Sequence, residues 1–88
     1  MIRVQESHVL AFLRYPSAPL VDFALTLVNL TWKEKAVIDL CGRQQYTQEA
    51  AAERMAFGVD AIQKWYRSGI KKIMEAWSGQ KWIEKIIS

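Results

Sequence analysis

The 88-residue sequence predicts an all-α fold, a small helical bundle in a single domain that contains a helix-turn-helix. Apolar residues recur at the 3.6-residue spacing of helices along most of the chain, and turn residues separate these periodic segments. Strand-like alternation of useful length is absent from the sequence. Because 51% of the residues are hydrophobic, the chain can bury a compact core and lacks the composition of a disordered protein.

Two short helices are expected in residues 1–29, as an N-terminal extension to the main motif. The first, around residues 9–13, should end before Pro16, and residues 17–19 should form a loop. The second should cover residues 20–29. The apolar face predicted for it consists of Leu20, Phe23, Ala24, Leu27 and Val28.

The segment Thr31-Trp-Lys-Glu34 is a capping box, which should open a third helix. In such a box the threonine oxygen accepts from the backbone amide of the glutamate, and the carboxylate accepts from the amide of the threonine. Gly42 is expected to cap this helix at its C-terminus. The predicted inner face consists of Ala36, Val37, Leu40 and Cys41.

Residues 47–73, within the predicted core region 30–77, have the pattern of a helix-turn-helix. Thr47 is placed to cap a first helix, and Phe57-Gly58 marks a sharp turn. A longer helix should begin at about Val59. Its apolar residues recur with a period close to 3.6: Ile62, Tyr66, Gly69, Ile70, Ile73 and Trp77. The two helices are expected to pack together through Ala52, Met55, Ile62 and Tyr66.

Positive charge is concentrated after the turn. Residues 60–88 contain six of the twelve lysines and arginines but only three of the nine acidic residues, and the whole chain has a net charge of +3. A cationic second helix with polar residues in its first turns is typical of proteins that insert this end of the helix into the major groove. The pattern therefore predicts double-stranded DNA as the partner.

The candidate DNA contacts are Thr47, Gln48, Asp60, Ala61, Gln63, Lys64, Arg67 and Lys71. In the first turns of the second helix, Gln63 can bond adenine, and Lys64 or Arg67 can bond the acceptors of guanine. Asp60 has two open interpretations, as an acceptor for cytosine or as a charge that stabilises the start of the helix. Lys71 and Lys72 lie late on the helix and suit a phosphate, as do the amides and side chains at the start of the first helix.

From Leu30 to about Trp77 the chain resembles region 4 of bacterial sigma factors. The residues that carry the resemblance are LTWKEKAVIDL at 30–40, TQEAAAERM at 47–55, and Ile62 followed by GIKKI at 69–73. The resemblance implies a helical domain that reads the −35 promoter element. Response-regulator output domains with the same four-helix plan share much of this pattern and stay open as an alternative.

Departures from the sigma pattern lead to further expectations. Ala56 stands where the family usually has glycine, and Gly58 is expected to take over the strained backbone conformation. Trp65 stands where an arginine is common, so a contact to the DNA backbone is expected to be either lost or replaced by packing there. Nothing upstream resembles sigma region 2, so the chain is not expected to be a complete sigma factor. Its tryptophan-rich continuation is similar to small regulators of phages and mobile elements.

Ser78-Gly79 should break the chain, and residues 78–88 should form a short amphipathic helix. Its apolar face consists of Trp82, Ile83, Ile86 and Ile87. Folding of this face onto the N-terminal helices around Leu10, Leu13 and Phe23 is favoured and would give a monomer. The alternative is a two-fold homodimer through the same face, which would set two recognition helices one DNA turn, ~34 Å, apart.

These features together predict sequence-specific DNA binding and regulation of transcription. The alternative is a protein-interaction module that docks on RNA polymerase or another regulator with little DNA contact. An enzyme, a cofactor and a metal site are not expected, because Cys41 should be a buried, reduced thiol and His8 is the only histidine. The sequence has neither an apolar run of ~20 residues nor a signal-peptide pattern, so a cytoplasmic location is expected.

Overall fold

A computed structural model describes residues 4–87 of the protein, except for the side chain of residue 87. The helices in order are α1 (Glu6–Leu13), α2 (Ala18–Thr26), α3 (Trp32–Val37), a π-helical segment (Ile38–Arg43), α4 (Gln48–Met55), α5 (Val59–Trp77) and α6 (Lys81–Ile87). No strand is present in this part of the chain, so the prediction of a small all-α bundle is confirmed. The Cα radius of gyration is 12.7 Å, close to the ~12 Å expected for a folded chain of this length.

Two hydrophobic clusters fill the interior. The larger cluster joins both ends of the chain, and its buried residues are Val4, Val9, Phe12, Leu13, Val21, Ala24, Val28, Ile38, Ile70, Ile73, Trp77 and Ile83. The smaller cluster surrounds the turn between α4 and α5, and its buried residues are Val37, Leu40, Cys41, Ala51, Ala52 and Ile62. Helix α5 contributes to both, and Tyr66 packs against both. The two N-terminal helices therefore share a core with α5.

Helix α1 ends before Pro16 as predicted, but the expected loop at residues 17–19 is wrong. Helix α2 already begins at Ala18, with Pro19 in its first turn. A proline is tolerated there because the first amides of a helix have no partner within the helix. The predicted inner face of α2 is also partly wrong, because Phe23 and Leu27 are exposed. The buried residues are Val21, Ala24 and Val28.

The capping box at the start of α3 is confirmed. The Thr31 hydroxyl accepts a hydrogen bond from the Glu34 amide at 3.2 Å, and the Thr31 amide donates to Glu34 Oε1 at 2.9 Å. The predicted inner residues Val37, Leu40 and Cys41 are buried, whereas Ala36 is half-buried. Ile38, which the prediction left out, is buried in the larger cluster.

Gly42 does not cap the third helix, so that prediction is wrong. The helix continues as the π-helical segment to Arg43, and Gln44 follows as the cap. Gly42 is buried inside the segment, where a Cβ atom would lie 2.8 Å from Leu13 Cδ1. Its carbonyl also accepts a hydrogen bond from Arg14 Nε at 3.2 Å. The glycine is needed for the close approach of α1, and the left-handed residue of this connection is Gln45, with φ 61°.

The turn between α4 and α5 is closed by Ala56. This residue is left-handed, with φ 60° and ψ 40°. The Phe57 amide donates to the Ala52 carbonyl at 3.1 Å and the Ala56 amide to the Glu53 carbonyl at 3.4 Å, the bond pattern of a Schellman motif. Gly58 has φ −72° and precedes α5 as its N-cap, so the expectation that it takes over the strained conformation is wrong.

Packing between α4 and α5 follows the predicted residues. Ala52 and Ile62 are buried in the smaller cluster, and Met55 and Tyr66 pack against it. The small side chains of α4 let it lie close to α5.

Helix α6 folds back onto the N-terminal helices, as the favoured expectation had it. Ile83 is fully buried in the larger cluster. The ring of Trp82 lies 6.3 Å from that of Phe12 and 5.8 Å from that of Phe23. Ile86 stays partly exposed, and the predicted inward side chain of Ile87 lies outside the described residues.

Candidate nucleic-acid interface

Most of the predicted base-reading residues share one face of α5. A shallow groove of about 440 Å³ runs along this face, and its lining residues are Asp60, Gln63, Lys64, Arg67, Ser68 and Lys71. These positions are three, four, seven, eight and eleven residues after the first, which is the spacing of one helix face. The opposite face carries Ile62, Ile73 and Trp77 into the interior. Because that face is buried, the polar groove on the other side of α5 faces solvent.

The groove is positively charged. It contains three cations, Lys64, Arg67 and Lys71, and one carboxylate, Asp60. All four side chains are exposed. Within residues 4–86, none of the three cations takes part in an ion pair. Their charges are thus not neutralised inside the described part of the protein, and the groove suits an anionic partner.

Asp60 and Ala61 occupy the first turn of α5. Asp60 is the acidic residue of that turn, where a negative charge stabilises the helix N-terminus. Ala61 is half-buried and does not line the groove. Of the six predicted contacts on α5, the structure therefore brings five together and sets Ala61 at their edge.

Thr47 and Gln48 lie at the start of α4, outside this groove. The Thr47 hydroxyl accepts a hydrogen bond from the Ala50 amide at 3.1 Å, so the predicted capping role is confirmed. Thr47 is exposed and Gln48 is half-buried. The phosphate contact expected of both residues stays a prediction.

A buried carboxylate fixes α5 against α3, a role that the sequence did not predict. Glu34 is almost completely buried; it accepts hydrogen bonds from the Ser68 hydroxyl and, at 2.8 Å, from Lys72 Nζ. Burial alone would raise the pKa of Glu34, but hydrogen bonds from Lys72, Ser68 and Thr31 outweigh it and lower the pKa to about 2. Lys72 is thus turned away from the groove that its neighbour Lys71 lines.

Helix α5 comes very close to the π-helical segment at Gly69. A Cβ atom at this position would lie 3.0 Å from Ile38 Cγ1 and 3.6 Å from Glu34 Cβ. The glycine therefore permits the crossing that brings Glu34 to Ser68 and Lys72. The crossing in turn sets which face of α5 is exposed.

Aromatic residues flank the groove near the turn. The ring of Trp65 meets that of Phe57 edge-on at 4.9 Å, and Lys33 Nζ lies 5.0 Å from the Trp65 ring centroid. Trp65 is therefore packed, as expected from its replacement of an arginine. Trp32 is 66% exposed, although its ring lies 6.5 Å from that of Phe57.

A second concave surface lies between α2 and α3. Its volume is about 540 Å³, and it is lined by Asp22, Leu25, Thr26, Val28, Leu30, Trp32, Lys35, Ala36, Asp39 and Arg43. At its rim, Arg43 Nη1 lies 2.6 Å from Asp22 Oδ1 and 3.9 Å from Asp39 Oδ1. The sequence argument did not predict this surface, because it forms where two separate helices meet.

Other kinds of site find little support among the described residues. No three His, Cys, Asp or Glu side chains in this part of the chain are grouped as a metal site requires. Cys41 is buried, and burial raises the pKa of its thiol, which disfavours the reactive thiolate. Of the helices described, none has the length and apolar character needed to cross a membrane.

Comparisons with known proteins found no match, so inferences about function depend mainly on the geometry of the site. The chain matches no family model, no curated protein and no solved structure.

Proposed function

We propose that the protein binds double-stranded DNA in the major groove through the N-terminal half of α5 and regulates transcription. The observation that carries the proposal is the exposed groove in which Lys64, Arg67 and Lys71 have no ion-pair partner within residues 4–86. An α-helix fits the major groove of DNA, and phosphates attract cations. The resemblance to sigma region 4 supports the same reading.

Base reading would be done by the first turns of α5. Gln63 would bond an adenine, and Lys64 and Arg67 would bond guanine acceptors. Lys71, about two turns further along, would contact a phosphate, as would the start of α4 at Thr47 and Gln48. Glu34 would contribute indirectly, because its hydrogen bonds with Ser68 and Lys72 hold α5 in place.

The test begins with selection of bound sequences from random DNA, followed by affinity measurements on single variants. Lys64→Ala and Arg67→Ala should each weaken binding of the selected sequence by roughly 1–3 kcal/mol if they contact base edges. Lys71→Ala should weaken all sequences alike and reduce the slope of log affinity against log salt by about 0.9 for one lost phosphate contact.

The matched control is Lys35→Ala, which removes an exposed cation from α3, outside the α5 groove. It should change affinity much less than the α5 variants do. If the three α5 variants bind as the parent does at low salt, α5 is not the recognition helix.

A second candidate function is docking on RNA polymerase or another regulator. The observation that favours it is the apolar groove between α2 and α3, with Trp32 66% exposed at its edge. Exposed tryptophans beside a pocket are common anchors of protein interfaces. Trp32→Ala would then abolish polymerase binding and leave DNA binding intact. In either role the protein would be a regulator of a phage or mobile element that acts in the bacterial cytoplasm without enzymatic activity.

A further inference from the structure

An apolar surface lies at the end of the molecule formed by α1, α2 and α6. We call it the aromatic patch, and its members are Tyr15, Phe23, Leu27, Trp82 and Ile86. Phe23 is 57% exposed, Tyr15 43%, Leu27 38% and Ile86 37%. Four of the exposed large hydrophobic residues of the described chain thus belong to this patch, and the other two, Trp32 and Phe57, lie near the turn between α4 and α5.

Four members of the aromatic patch are linked by ring contacts or a shared pocket, and Leu27 lies one helical turn after Phe23 at the end of α2. The Phe23 ring is 5.8 Å from the Trp82 ring, and Tyr15 and Ile86 line one shallow pocket together with Phe12. Phe12 bridges the two halves, because its ring lies 5.9 Å from Tyr15 and 6.3 Å from Trp82. The fold-back of α6 buries Ile83 but leaves this surface uncovered.

We propose that the aromatic patch is the interface of a two-fold dimer of the protein. A two-fold interface brings the same patch of both copies together, so the patch must be compatible with itself. None of its five members is charged, so two copies can meet there without repulsion between like charges. A partner of opposite charge would instead require a charged patch.

The area of the aromatic patch agrees with a weak dimer. Its exposed side chains present roughly 400 Å² on each copy, given the 150–250 Å² of a whole aromatic side chain. A patch of this size lies within the roughly 300–600 Å² of the largest patch on a typical monomer, and such patches are often functional. Two copies with their polar rims would bury on the order of 1,000 Å², at the lower end for specific interfaces.

The position of the aromatic patch also fits recognition of two DNA half-sites, a point that rests on the proposed function. Helix α6 follows the C-terminus of α5, and Gln63 lies fourteen residues before Trp77. This is about 21 Å along the helix at 1.5 Å per residue. A two-fold axis beside α6 can therefore separate the two reading segments by up to ~40 Å, which accommodates the ~34 Å of one DNA turn.

Sedimentation velocity of the full chain without DNA tests the dimer directly. The parent should pass from monomer to dimer at micromolar concentrations, roughly 1–100 µM, as expected of a small interface. Phe23→Glu should raise the dissociation constant at least tenfold, because two carboxylates would face each other near the axis. Since Phe23 is mostly exposed, the melting temperature of this variant should stay near that of the parent. The control is Trp32→Glu, at an aromatic residue outside the patch that is even more exposed than Phe23, and this variant should dimerise as the parent does.

A DNA probe with two inverted copies of the selected half-site, 10–11 base pairs apart, tests the spacing. The parent should bind this probe cooperatively, and Phe23→Glu should bind each half-site singly with unchanged intrinsic affinity. A parent that stays monomeric up to 1 mM, or a Phe23→Glu variant that dimerises like the parent, overturns the dimer. A dimer that binds no DNA would keep this inference and overturn the proposed function instead.

Discussion

The two hydrophobic clusters are built from different kinds of residue. The smaller cluster contains Ala51, Ala52 and Cys41, whereas the larger contains Phe12 and Trp77. Small side chains let α4 lie close to α5, but they remove little apolar area from water, and stabilisation scales with that area at about 25 cal/mol per Å². The helix-turn-helix should therefore depend for its stability on the larger cluster, to which it is joined through α5.

The largest expected effect is on that larger cluster. Trp77 is fully buried, and its Nε1–H donates to the Ala24 carbonyl at 3.0 Å. Trp77→Ala leaves a cavity and removes the hydrogen bond from the indole to the Ala24 carbonyl, so the free energy of unfolding should fall by about 3–5 kcal/mol. This is a large fraction of the ~5–15 kcal/mol stability of a typical domain. Denaturant titration followed by circular dichroism measures it.

The same experiment shows whether the clusters are one cooperative unit. Cys41 is the single cysteine and is buried in the smaller cluster, so its reaction with a thiol reagent reports on that cluster alone. In Trp77→Ala the thiol should become reactive at the denaturant concentration at which helicity is lost. Protection of Cys41 after the helical signal has collapsed would show that the helix-turn-helix is stable by itself. Trp32→Ala, at an exposed tryptophan, is the control and should change stability by less than about 0.5 kcal/mol.

The second largest effect is expected from acid, which should weaken the contact that Glu34 makes between α3 and α5. The pKa of Glu34 is lowered from 4.5 to about 2, so the native state favours the carboxylate more than the unfolded state does. The resulting stabilisation is fully present above the unfolded pKa and is lost as the pH falls from about 4.5 through about 2. It amounts to about 3 kcal/mol at neutral pH. Urea titrations at a series of pH values between 2 and 7 measure the loss.

Glu34→Gln identifies the group responsible. The amide cannot carry the charge that Lys72 pairs with, so this variant should be less stable at pH 7 and should lose less stability on acidification than the parent. Asp22→Asn removes a largely exposed carboxylate paired with Arg43 and should keep the acid dependence close to that of the parent. An unchanged acid dependence in Glu34→Gln would mean that this carboxylate does not stabilise the contact between α3 and α5.

The two clusters also differ in how well the sequence predicted them. The smaller cluster forms between residues that are close in sequence, so helical periodicity was sufficient to pair Ala52 with Ile62. The larger cluster contains both Val9 and Ile83, which are far apart in sequence, and helical periodicity does not show which segments meet. It predicted an apolar face for α6 and its fold-back, but it chose Phe23 over Val21 for the inner face of α2, because both choices fit a helical period.

In the candidate site, too, local features were predicted and long-range contacts were not. Five groove residues on α5 were predicted because helix geometry alone brings them together. Glu34 was interpreted only as part of the capping box, since its second role depends on Ser68 and Lys72, 34 and 38 residues away. Gly42 was assigned as a helix cap because the tight packing on Leu13 involves a helix distant in sequence. Long-range contacts thus account for most of what the sequence did not predict.

The smallest expected effect is on the turn between α4 and α5, which lies beside the smaller cluster. Ala56 is left-handed at φ 60° and exposed. An L-residue pays roughly 1–2 kcal/mol for this conformation, whereas glycine adopts it freely but loses more entropy on folding. Ala56→Gly should therefore raise the free energy of unfolding by about 0.5–1 kcal/mol.

The control for Ala56→Gly is the same substitution in an ordinary helix. Ala11 is exposed in the middle of α1, so Ala11→Gly should lower the free energy of unfolding by about 0.5–1 kcal/mol. The two variants make the same chemical change, remove no buried contact, and should move the urea midpoint in opposite directions. If Ala56→Gly destabilises the protein as Ala11→Gly does, the turn is not closed by a left-handed residue. Backbone strain at Ala56 would then not contribute to the difference in stability between the two clusters.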